Sequence, residues 1–579
     1  MNDLLTSLWA GDRSRPVDSP HPQAATERPA GGVKLPRPSD DRLRRETAAG
    51  HWRNALLDTS LVDAARRHPA STALVDGAVT LTYSEVLSKV QALSRSLRDL
   101  GVVKGDVISW QLPNWYEAYI IHFAAISMGA VSNPIVPIYR HHELEFILRE
   151  AGSRVVITPE TFRGFDYAQM ISDIRGKLPR LKHSLLVRTR PGSGAPSLDS
   201  LMNEVEGIGP AGDRSADDPV MLMFTSGTTA RPKGVVHTHN TIDFEVRSIV
   251  KQFALTNTDI VFMPSPLTHM TGLAYGVQLA PAIAAPLVLQ DIWEPRVAME
   301  LIDRHRCTFA FAATPFLQGI LQHPEQGSFD LTSLRVVASG GADVPPQLIR
   351  DVSTRFRCTA TRAYGSTEMP TVVACGPALP PEKAATTDGR PIGPATFRLL
   401  SEHGEEVRSP GEVGEIVATG PELFIGYLRP EDDEGAFASD GWFFTGDLGS
   451  TDEDGYLTIK GRKKDIVIRG GENISVTEVE QILLEHPGVT DIAIVAMPDP
   501  VMGERACAYV VPSATGDEAP TLAVLCDFLA ARNMAKQKYP ERLELIDELP
   551  RTPSGKVQKF LLRQKIVAQL EASSTGDPA

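Results

Sequence analysis

Residues 219–234 read PVMLMFTSGTTARPKG, an apolar run followed by glycine, hydroxyl side chains and then Lys233. The apolar residues predict a buried strand. The loop after it predicts a place where main-chain N–H groups, hydroxyls and an ammonium converge on oxyanions. A Walker A loop needs lysine directly after its second glycine, whereas Lys233 precedes Gly234 here. The stretch therefore predicts a nucleotide-binding loop of a different type. Its candidate phosphate-binding residues are Thr225, Ser226, Gly227, Thr228, Thr229 and Lys233.

The composition is that of a soluble protein with several domains. The chain has 579 residues, of which 42% are hydrophobic and 22% are charged. Its net charge of −14 argues against a nucleic-acid partner, which requires a basic surface. The five cysteines lack metal-binding or disulfide spacing, which favours a reducing, cytoplasmic location. The pattern predicts no secretion signal and no transmembrane segment.

Helical patterns alternate with short apolar runs along most of the chain, which predicts an α/β fold. We expect a large N-terminal domain of two layered α/β sheet subdomains plus a small β-barrel-like subdomain, where glycine-punctuated segments follow Gly393. A small α+β C-terminal domain follows, and the family resemblance described below implies that it is mobile. The predicted boundaries are a disordered tail over 1–50, a large domain over 51–462, a lid domain over 463–570 and a second tail over 571–579.

Four further segments accompany the phosphate loop in a fixed order. They are YGSTE from Tyr364, GWFFTGDLG from Gly441, GRKKDIVIRGGENI from Gly461 and PRTPSGKVQK from Pro550. With TSGTTARPKG, this series resembles the adenylate-forming superfamily of acyl-CoA synthetases, peptide-synthetase adenylation domains and firefly-type luciferases. The resemblance extends from about residue 55 to residue 567. It implies an AMP-binding enzyme, with residues 51–462 as its AMP-binding domain and ATP, Mg²⁺ and CoA as reactants or cofactors.

The resemblance implies roles for the nucleotide-site residues. The ring of Tyr364 is expected to stack on adenine, Thr367 to donate to the α-phosphate and Glu368 to hold Mg²⁺, which prefers oxygen ligands. Asp447 is expected to accept hydrogen bonds from the ribose, although an Asp in such a turn often caps the turn itself. Further expected nucleotide contacts are Gly340, Gly341, Ala342, Gly365 and Arg462.

The resemblance also implies two steps that use the small domain differently. Lys556 in SGK is expected to bridge the acid and ATP while an acyl adenylate forms and pyrophosphate leaves. The small domain is then expected to turn at Lys464 and to bring Gly470 and Gly471 beside a channel for the CoA thiol. Thioester and AMP are the expected products.

The acid-binding region is predicted around MPSPLTHMTG, which begins at Met263. His269 is the candidate gate of the acyl pocket, and a buried histidine with satisfied nitrogens is the alternative. No carboxylate lies between Met263 and Gly276, which argues against an α-amino acid and for an apolar, uncharged acyl group. The segment from Ser109 most resembles cyclohexanecarboxylate and medium-chain fatty acid CoA ligases. We expect an alicyclic or medium-chain acid, and aryl acids of the benzoate or salicylate type remain an alternative.

The acceptor has alternatives as well. Basic residues after the domain boundary could meet CoA phosphates or form a solvated face; they are Lys463, Lys464, Arg469, Arg532, Lys536 and Lys538. A carrier-protein thiol is a second acceptor, supplied by a separate partner. A non-catalytic adenylate-binding or acyl-CoA-binding protein is the alternative from another class, and the presence of Lys556 and Glu368 argues against it.

Overall fold

The computed structural model describes residues 33–190, 197–202, 213–225, 231–341, 344–465, 467–469, 472–474, 476–499, 502–513, 519–532, 534, 536–552 and 555–574. These ranges form an α/β protein. Two large sheets and a smaller antiparallel sheet precede residue 463. A separate small α+β domain with its own sheet follows that residue. The predicted fold class is confirmed.

The larger of the two main sheets has nine strands and is parallel in its centre. Apolar strands follow one another through helical crossovers, which is why their carboxyl ends meet along one edge. In spatial order the strands are Arg390–Pro391, Val373–Ala374, Thr359–Tyr364, Val336–Ser339, Phe309–Ala312, Val261–Met263, Leu287–Leu289, Thr72–Asp76 and Val79–Thr82.

The second main sheet has six strands, and the apolar run Pro219–Thr225 forms a hairpin with Lys233–Thr238 at its edge. Its order is Lys233–Thr238, Pro219–Thr225, Val131–Pro134, Val107–Trp110, Val155–Pro159 and His183–Val187. The hairpin pairs Thr225 with Lys233, so it brings both ends of the phosphate loop to one point. A two-stranded ribbon, Thr161–Phe162 with Phe165–Asp166, lies apart from this sheet.

The segments after Gly393 form an antiparallel sheet of five strands, and the small domain has a mixed sheet of its own. The antiparallel sheet runs in the order Glu406–Val407, Thr396–Leu400, Gly414–Thr419, Phe443–Thr451 and Leu457–Arg462. The small-domain strands are Val467–Arg469, Glu472–Ile474, Val489–Asp499, Gly503–Pro512 and Arg542–Leu545, of which the last pairs in parallel with Gly503–Pro512.

Helices cover the faces of the sheets, and local capping explains where several of them begin. Thr82 and Glu85 form a reciprocal capping box at the start of helix Tyr83–Asp99. Helix Tyr116–Ser127 is buried on all sides between the two main sheets, which join in one apolar core. The α-helices are Asp40–Ala48, Thr59–Arg67, Tyr83–Asp99, Tyr116–Ser127, His141–Glu150, Tyr167–Arg175, Leu198–Leu201, His239–Gln252, Met270–Gly272, Leu279–Ile283, Pro295–His305, Thr314–Gln322, Pro346–Phe356, Pro381–Thr386, Val476–Leu483, Leu522–Ala530 and Lys559–Ser574.

Short helices of other types complete the fold. The segments Gln326–Ser328, Pro430–Asp432, Lys463–Asp465 and Lys536–Lys538 are 3-10 turns, and Leu273–Gln278 is a π-helix. No helix in the described ranges is both long enough and apolar enough to cross a membrane.

The prediction of a disordered tail over 1–50 is wrong for its second part. Residues 1–32 lie outside the described ranges, whereas Asp40–Ala48 is a helix capped by the Ser39 side chain. Arg42 holds this helix in place because its guanidinium donates to the main-chain carbonyls of Leu423 and Phe424. The composition of residues 1–50 could not predict this contact, because the carbonyls that anchor Arg42 lie nearly 400 residues away in the sequence. At the other end, helix Lys559–Ser574 continues into the predicted tail over 571–579.

We expect Arg42→Met to loosen the helix Asp40–Ala48. The variant removes charged donors from partly buried carbonyls, which should lower the local unfolding free energy by about 2–4 kcal/mol. Hydrogen–deuterium exchange of amides 43–48 should then accelerate by about 30-fold to 1,000-fold. Arg44→Met is the matched control, since Arg44 is exposed and lies 3.9 Å from its only described ion-pair partner, Asp41. Equal exchange in the two variants would remove Arg42 as the anchor.

Candidate functional site

Tyr364, Asp447 and Arg462 form the first connection between the sequence motifs. Asp447 and Arg462 are cross-strand partners in the five-stranded sheet, and Arg462 Nε lies 3.0 Å from Asp447 Oδ1. The Tyr364 hydroxyl donates to Asp447 Oδ2 at 2.8 Å from the carboxyl end of a strand in the nine-stranded sheet. The Asp447 carboxylate therefore binds two other motifs, and it does not cap its own turn.

Glu368 and Lys233 are connected through a residue that the sequence analysis missed. The Tyr427 hydroxyl donates to Glu368 Oε1 at 2.8 Å, and Lys233 Nζ lies 4.6 Å from the centre of the Tyr427 ring. Lys233 Nζ also donates to the carbonyl of Asp432 at 3.1 Å. Tyr427 follows an ordinary apolar run, ELFIG, so no local pattern marked it as part of a site.

Two glycines at the carboxyl ends of neighbouring strands allow close approach of the backbone. A Cβ at Gly340 would lie 2.4 Å from the carbonyl oxygen of Ala363, and a Cβ at Gly365 would lie 2.0 Å from that of Pro370. Any side chain there would displace the main chain that carries Tyr364. These two positions form a narrow edge on which a flat ligand can rest against backbone.

The turn that carries Lys556 docks on the large domain. Gly555 has φ of +84°, and a Cβ there would lie 2.6 Å from Cγ of Pro315, in the first turn of helix Thr314–Gln322. Thr552 closes the turn, because its hydroxyl accepts the N–H of Lys556 at 3.1 Å and its N–H donates to the Lys556 carbonyl at 2.7 Å. Glycine is therefore required for both the conformation and the contact.

Lys556 lies among the charges of the other motifs. Desolvation by the surrounding protein and the positive charge of Arg462 lower its pKa to about 8, although the residue as a whole is exposed. Asp447 and Glu368 act in the opposite direction and raise this pKa. We call Tyr364, Glu368, Asp447, Arg462 and Lys556 the central cluster.

His269 is a buried histidine close enough to Lys556 of the central cluster to feel its charge. Burial and the nearby charge of Lys556 lower its pKa to about 4, so the ring is neutral at pH 7. Its buried Nε2 has no hydrogen-bond partner among the described residues. The described residues therefore leave this nitrogen without a partner, and the role of His269 as gate of the acyl pocket stays a prediction.

An aromatic pair and a buried carboxyl group lie next to Gly340. The rings of Tyr275 and Phe311 stack with centres 4.5 Å apart, and a Cβ at Gly340 would lie 3.6 Å from Phe311. The Tyr275 hydroxyl donates to Glu245 Oε1 at 2.8 Å, and Thr371 donates to the same oxygen at 2.7 Å. Burial raises the pKa of Glu245 to about 7. The sequence analysis missed Glu245 because it lies in an ordinary amphipathic helix, His239–Gln252.

Thr367 is positioned through its main chain. Its carbonyl accepts a hydrogen bond from Nε2 of His237 at 2.7 Å, and Nδ1 of His237 lies 3.1 Å from Oγ1 of Thr241. Burial lowers the pKa of His237 to about 4, so this histidine is a neutral structural group. It was not singled out from the sequence, where it is one of several histidines after the phosphate loop.

Several predicted residues cannot be placed in the site. Ser226, Gly227, Thr228, Thr229, Ala342, Gly470 and Gly471 lie outside the described residues. Gly341 is described, with φ of +79°, and Thr225 lies at the end of its strand opposite Lys233. The backbone of Lys464 lies in the 3-10 turn Lys463–Asp465, directly after strand Leu457–Arg462.

Most of the basic residues proposed for CoA phosphates have carboxylate partners. Lys463 pairs with Glu415 at 2.6 Å and Lys538 pairs with Glu478 at 2.5 Å. Arg469 and Arg532 likewise lie 2.6 Å from Glu541 and 3.2 Å from Glu485. These pairs are typical of a solvated charged face.

The arrangement is suited to a polyanion and a divalent cation. The site contains three cationic side chains, those of Lys233, Arg462 and Lys556, although the whole chain has a net charge of −14. Glu368 offers an oxygen ligand of the type Mg²⁺ prefers, and phosphate oxygens would complete the coordination. No cluster of three or more metal-binding side chains occurs in the described ranges.

Comparison with known families matches both parts of the chain. Residues 61–428 match the family described as AMP-binding enzyme. Residues 478–556 match the AMP-binding enzyme C-terminal domain, so that match ends at Lys556.

Individual relatives cover nearly the whole chain. Among them, the medium-chain fatty-acid–CoA ligase of Escherichia coli K12 is 36% identical over 90% of this chain and 92% of that protein. The salicyl-AMP ligase / salicyl-S-ArCP synthetase of Mycobacterium tuberculosis is 32% identical over 95% of this chain and 97% of its own. The ATP-bound structure of MatB from Rhodopseudomonas palustris has a TM-score of 0.78, 27% identity, and coverage of 88% of this chain and 99% of that one.

We expect Lys556 to titrate near pH 8 and to respond to its two charged neighbours in opposite directions. Arg462→Gln should raise the pKa because a nearby positive charge is removed, and Asp447→Asn should lower it because a negative charge is removed. The measurement is pH-dependent acetylation of Lys556, followed by mass spectrometry of its peptide. Identical titration midpoints in the wild type and both variants would show that Lys556 is remote from the pair.

Proposed function

Because this chain belongs to the AMP-binding enzyme family and is an AMP-forming acid–thiol ligase, we propose that its substrate is an alicyclic or medium-chain carboxylic acid whose acyl group is apolar and uncharged. ATP activates the acid as an acyl adenylate, and CoA then receives the acyl group. The products are acyl-CoA, AMP and pyrophosphate.

The position of Lys556 carries this proposal. Its turn docks on Pro315, and its ammonium lies within electrostatic range of Arg462, Asp447, Glu368 and His269. A lysine from the small domain thus reaches the charges of the large domain. This placement supports an arrangement for adenylate formation, in which positive charge is needed where the carboxylate meets the α-phosphate.

In the first step, a carboxylate oxygen of the acid forms a bond to the α-phosphorus of ATP. The bond from that phosphorus to the bridging oxygen breaks, and pyrophosphate leaves with the electron pair. Lys556 and Arg462 offset the negative charge that two anions bring together, and Lys233 is placed to meet the departing phosphates. Glu368 would hold Mg²⁺, which supplies further charge neutralisation when bound. Catalysis of this kind depends on positioning and charge, and it needs no protein nucleophile.

The aromatic pair next to Gly340 supports the assignment of the acyl pocket. Tyr275 and Phe311 offer an apolar, flat wall, and Tyr275 belongs to a π-helix, a distortion often found at functional sites. Glu245 is the nearby carboxyl group, but Tyr275 and Thr371 already donate to it and its pKa is near 7. It is therefore not a free carboxylate for a substrate ammonium. An uncharged acyl group fits this wall better than an amino acid.

In the second step, the thiolate sulfur of CoA attacks the carbonyl carbon of the adenylate and AMP leaves. Lys556 occupies the site in the first arrangement, so the small domain must move before a thiol can enter. Lys464 is proposed as the hinge, since its backbone lies in the short turn between the last strand of the large domain and the first strand of the small domain.

A second candidate is an aryl-acid adenylating enzyme that loads CoA or a carrier-protein thiol. It is favoured by the 32% identical relative whose name contains salicyl-AMP ligase and salicyl-S-ArCP synthetase. The aromatic wall suits a benzoate-type ring as well as an alicyclic one.

Mass spectrometry of thioesters distinguishes these acids and acceptors. The protein is incubated with Mg·ATP, CoA and a pool of alicyclic, medium-chain, aryl and amino acids. An alicyclic or medium-chain acyl-CoA is the expected product, and an aryl-CoA would replace the proposed acid. Aryl adenylates that accumulate without thioesters would favour a carrier protein as acceptor. Formation of aminoacyl products alone would contradict the uncharged pocket.

We expect Lys556→Ala to lower adenylate formation by about a hundredfold or more, because the bridging positive charge is lost. Transfer from a chemically supplied acyl adenylate to CoA should remain within about twofold. Pyrophosphate release measures the first step and thioester formation measures the second. Lys565→Ala, which removes a lysine from the last helix of the same domain, is the matched control and should leave both unchanged. Equal loss of both steps in Lys556→Ala would contradict separate roles for the small domain.

We expect Lys464→Pro to preserve a first turnover of pyrophosphate and to lower thioester formation more than about tenfold. Proline fixes φ, so the backbone can no longer absorb the rotation between the two arrangements. Lys464→Ala removes the same side chain while keeping backbone freedom, and it should transfer the acyl group normally. Normal thioester formation by Lys464→Pro would place the hinge elsewhere.

A further inference from the structure

Tyr427 lies in an extended segment, residues 425–428, that runs beside the outermost strand of the six-stranded sheet. Main-chain hydrogen bonds of 2.7 to 3.2 Å join this segment to strand Lys233–Thr238. Tyr427 is opposite Val235 in an antiparallel bridge. Residues two apart on a strand share a face, so the side chains of Lys233 and Tyr427 are diagonal neighbours. The pairing therefore places the Tyr427 ring beside the lysine that follows the phosphate loop.

The same segment holds Glu368 at two points. The amide of Phe424 donates to the main-chain carbonyl of Glu368 at 2.7 Å, and the Tyr427 hydroxyl donates to its side-chain Oε1 at 2.8 Å. The first bond fixes the main chain, and the second fixes the direction of the carboxylate. Because the hydroxyl engages one oxygen, it leaves Oε2 to a cation. Hydrogen-bonding partners of this kind orient carboxylates that bind metals.

The Tyr427 ring and a neighbouring turn hold Lys233. Its Nζ lies 4.6 Å from the centre of the ring, within the range of a cation–π interaction. The same Nζ donates to the carbonyl of Asp432 at 3.1 Å. An ammonium has three N–H donors, and the carbonyl takes one of them. The lysine is thus fixed in direction while it keeps donors for phosphate oxygens.

Tyr427 is itself fixed before any ligand binds. Its amide donates to Asp433 Oδ1 at 2.9 Å, and its ring packs edge-to-face on Phe424 with ring centres 4.8 Å apart. The side chain is buried. Burial and the negative charge of Glu368 raise the pKa of Tyr427, so its hydroxyl keeps the proton that it donates. This fixed side chain contacts both the carboxylate and the ammonium.

We propose that Tyr427 is a positioning residue of the ligase: its hydroxyl orients Glu368 toward the divalent cation, and its ring holds the Lys233 ammonium toward the phosphates of ATP. The inference rests on the roles proposed above for Glu368 and Lys233. Glu368 follows a strand of the nine-stranded sheet, whereas Lys233 belongs to the six-stranded sheet. One side chain thus sets the separation between the group that holds the cation and the group that meets the phosphates.

Two substitutions separate the hydroxyl from the ring. The full-length protein is studied with α,β-methylene-ATP, in which the bond broken by adenylation is replaced. Electron paramagnetic resonance measures Mn²⁺ binding to the protein–nucleotide complex, and isothermal titration measures nucleotide binding without metal. Tyr427→Phe should lower the Mn²⁺ affinity by about tenfold or more and leave the metal-free nucleotide affinity within about twofold. Tyr427→Leu should also lower the metal-free nucleotide affinity by about threefold or more, because Lys233 loses the ring.

Tyr456 supplies the matched control. Lys383 Nζ also lies 4.6 Å from the centre of the Tyr456 ring, but neither residue belongs to the ligase site. Tyr456→Phe and Tyr456→Leu should leave both affinities unchanged. Tyr427→Phe keeps the buried ring, and excess Mg²⁺ should recover most of the pyrophosphate release that this variant loses. Such recovery is expected of a weakened cation site and not of a misfolded protein.

Glu368→Gln distinguishes failure of this inference from failure of the proposed function. If Glu368→Gln lowers the Mn²⁺ affinity and Tyr427→Phe does not, the role of Glu368 stands and that of the Tyr427 hydroxyl is overturned. If neither variant lowers it, both roles are overturned. Unchanged metal-free nucleotide affinity in Tyr427→Leu would overturn the role of the ring. Equal loss of Mn²⁺ and metal-free nucleotide affinity in Tyr427→Phe would indicate a general structural effect and would also contradict the proposal.

Discussion

The ion pair between Asp447 and Arg462 is the interaction on which the site depends, because it joins separately folded parts of the chain. The two residues face each other across antiparallel strands, and the Tyr364 hydroxyl reaches the same carboxylate from the nine-stranded sheet. Arg462 is also the last residue before the turn that leads to the small domain. A contact that would be weak on an open surface thus sets the distance between two sheets and the start of a movable domain.

The charge of the site contrasts with that of the whole protein. The chain carries a net charge of −14, yet Lys233, Arg462 and Lys556 converge where phosphates are expected. Two of the three cations are held by neutral or acidic groups, Lys233 by a carbonyl and the Tyr427 ring and Arg462 by Asp447, and Lys556 is exposed. This arrangement supplies positive potential to an anion without leaving any of the three cations buried and unpaired.

The residues around the aromatic pair of Tyr275 and Phe311 show that a local sequence pattern predicts only part of the surroundings of a pocket. The lack of carboxylates between Met263 and Gly276 was a sound observation, but Glu245 arrives beside Tyr275 from another helix. Thr371 completes the group from a third segment, directly after the YGSTE motif. No spacing rule predicts such a contact, because helix packing and not sequence distance brings the three residues together.

The sequence by itself determined the fold class, the order of the motifs and most of the candidate residues. Alternating apolar runs must be buried between helices, and glycine or hydroxyl clusters after strands mark an edge where ligands bind. Only the tertiary structure decided that Tyr427 links Glu368 to Lys233 and that Arg42 anchors an N-terminal helix. It also decided that His269 Nε2 has no hydrogen-bond partner within the described part of the chain. The reason is physical: periodicity reports which face of an element is buried, whereas these contacts depend on which distant element covers it.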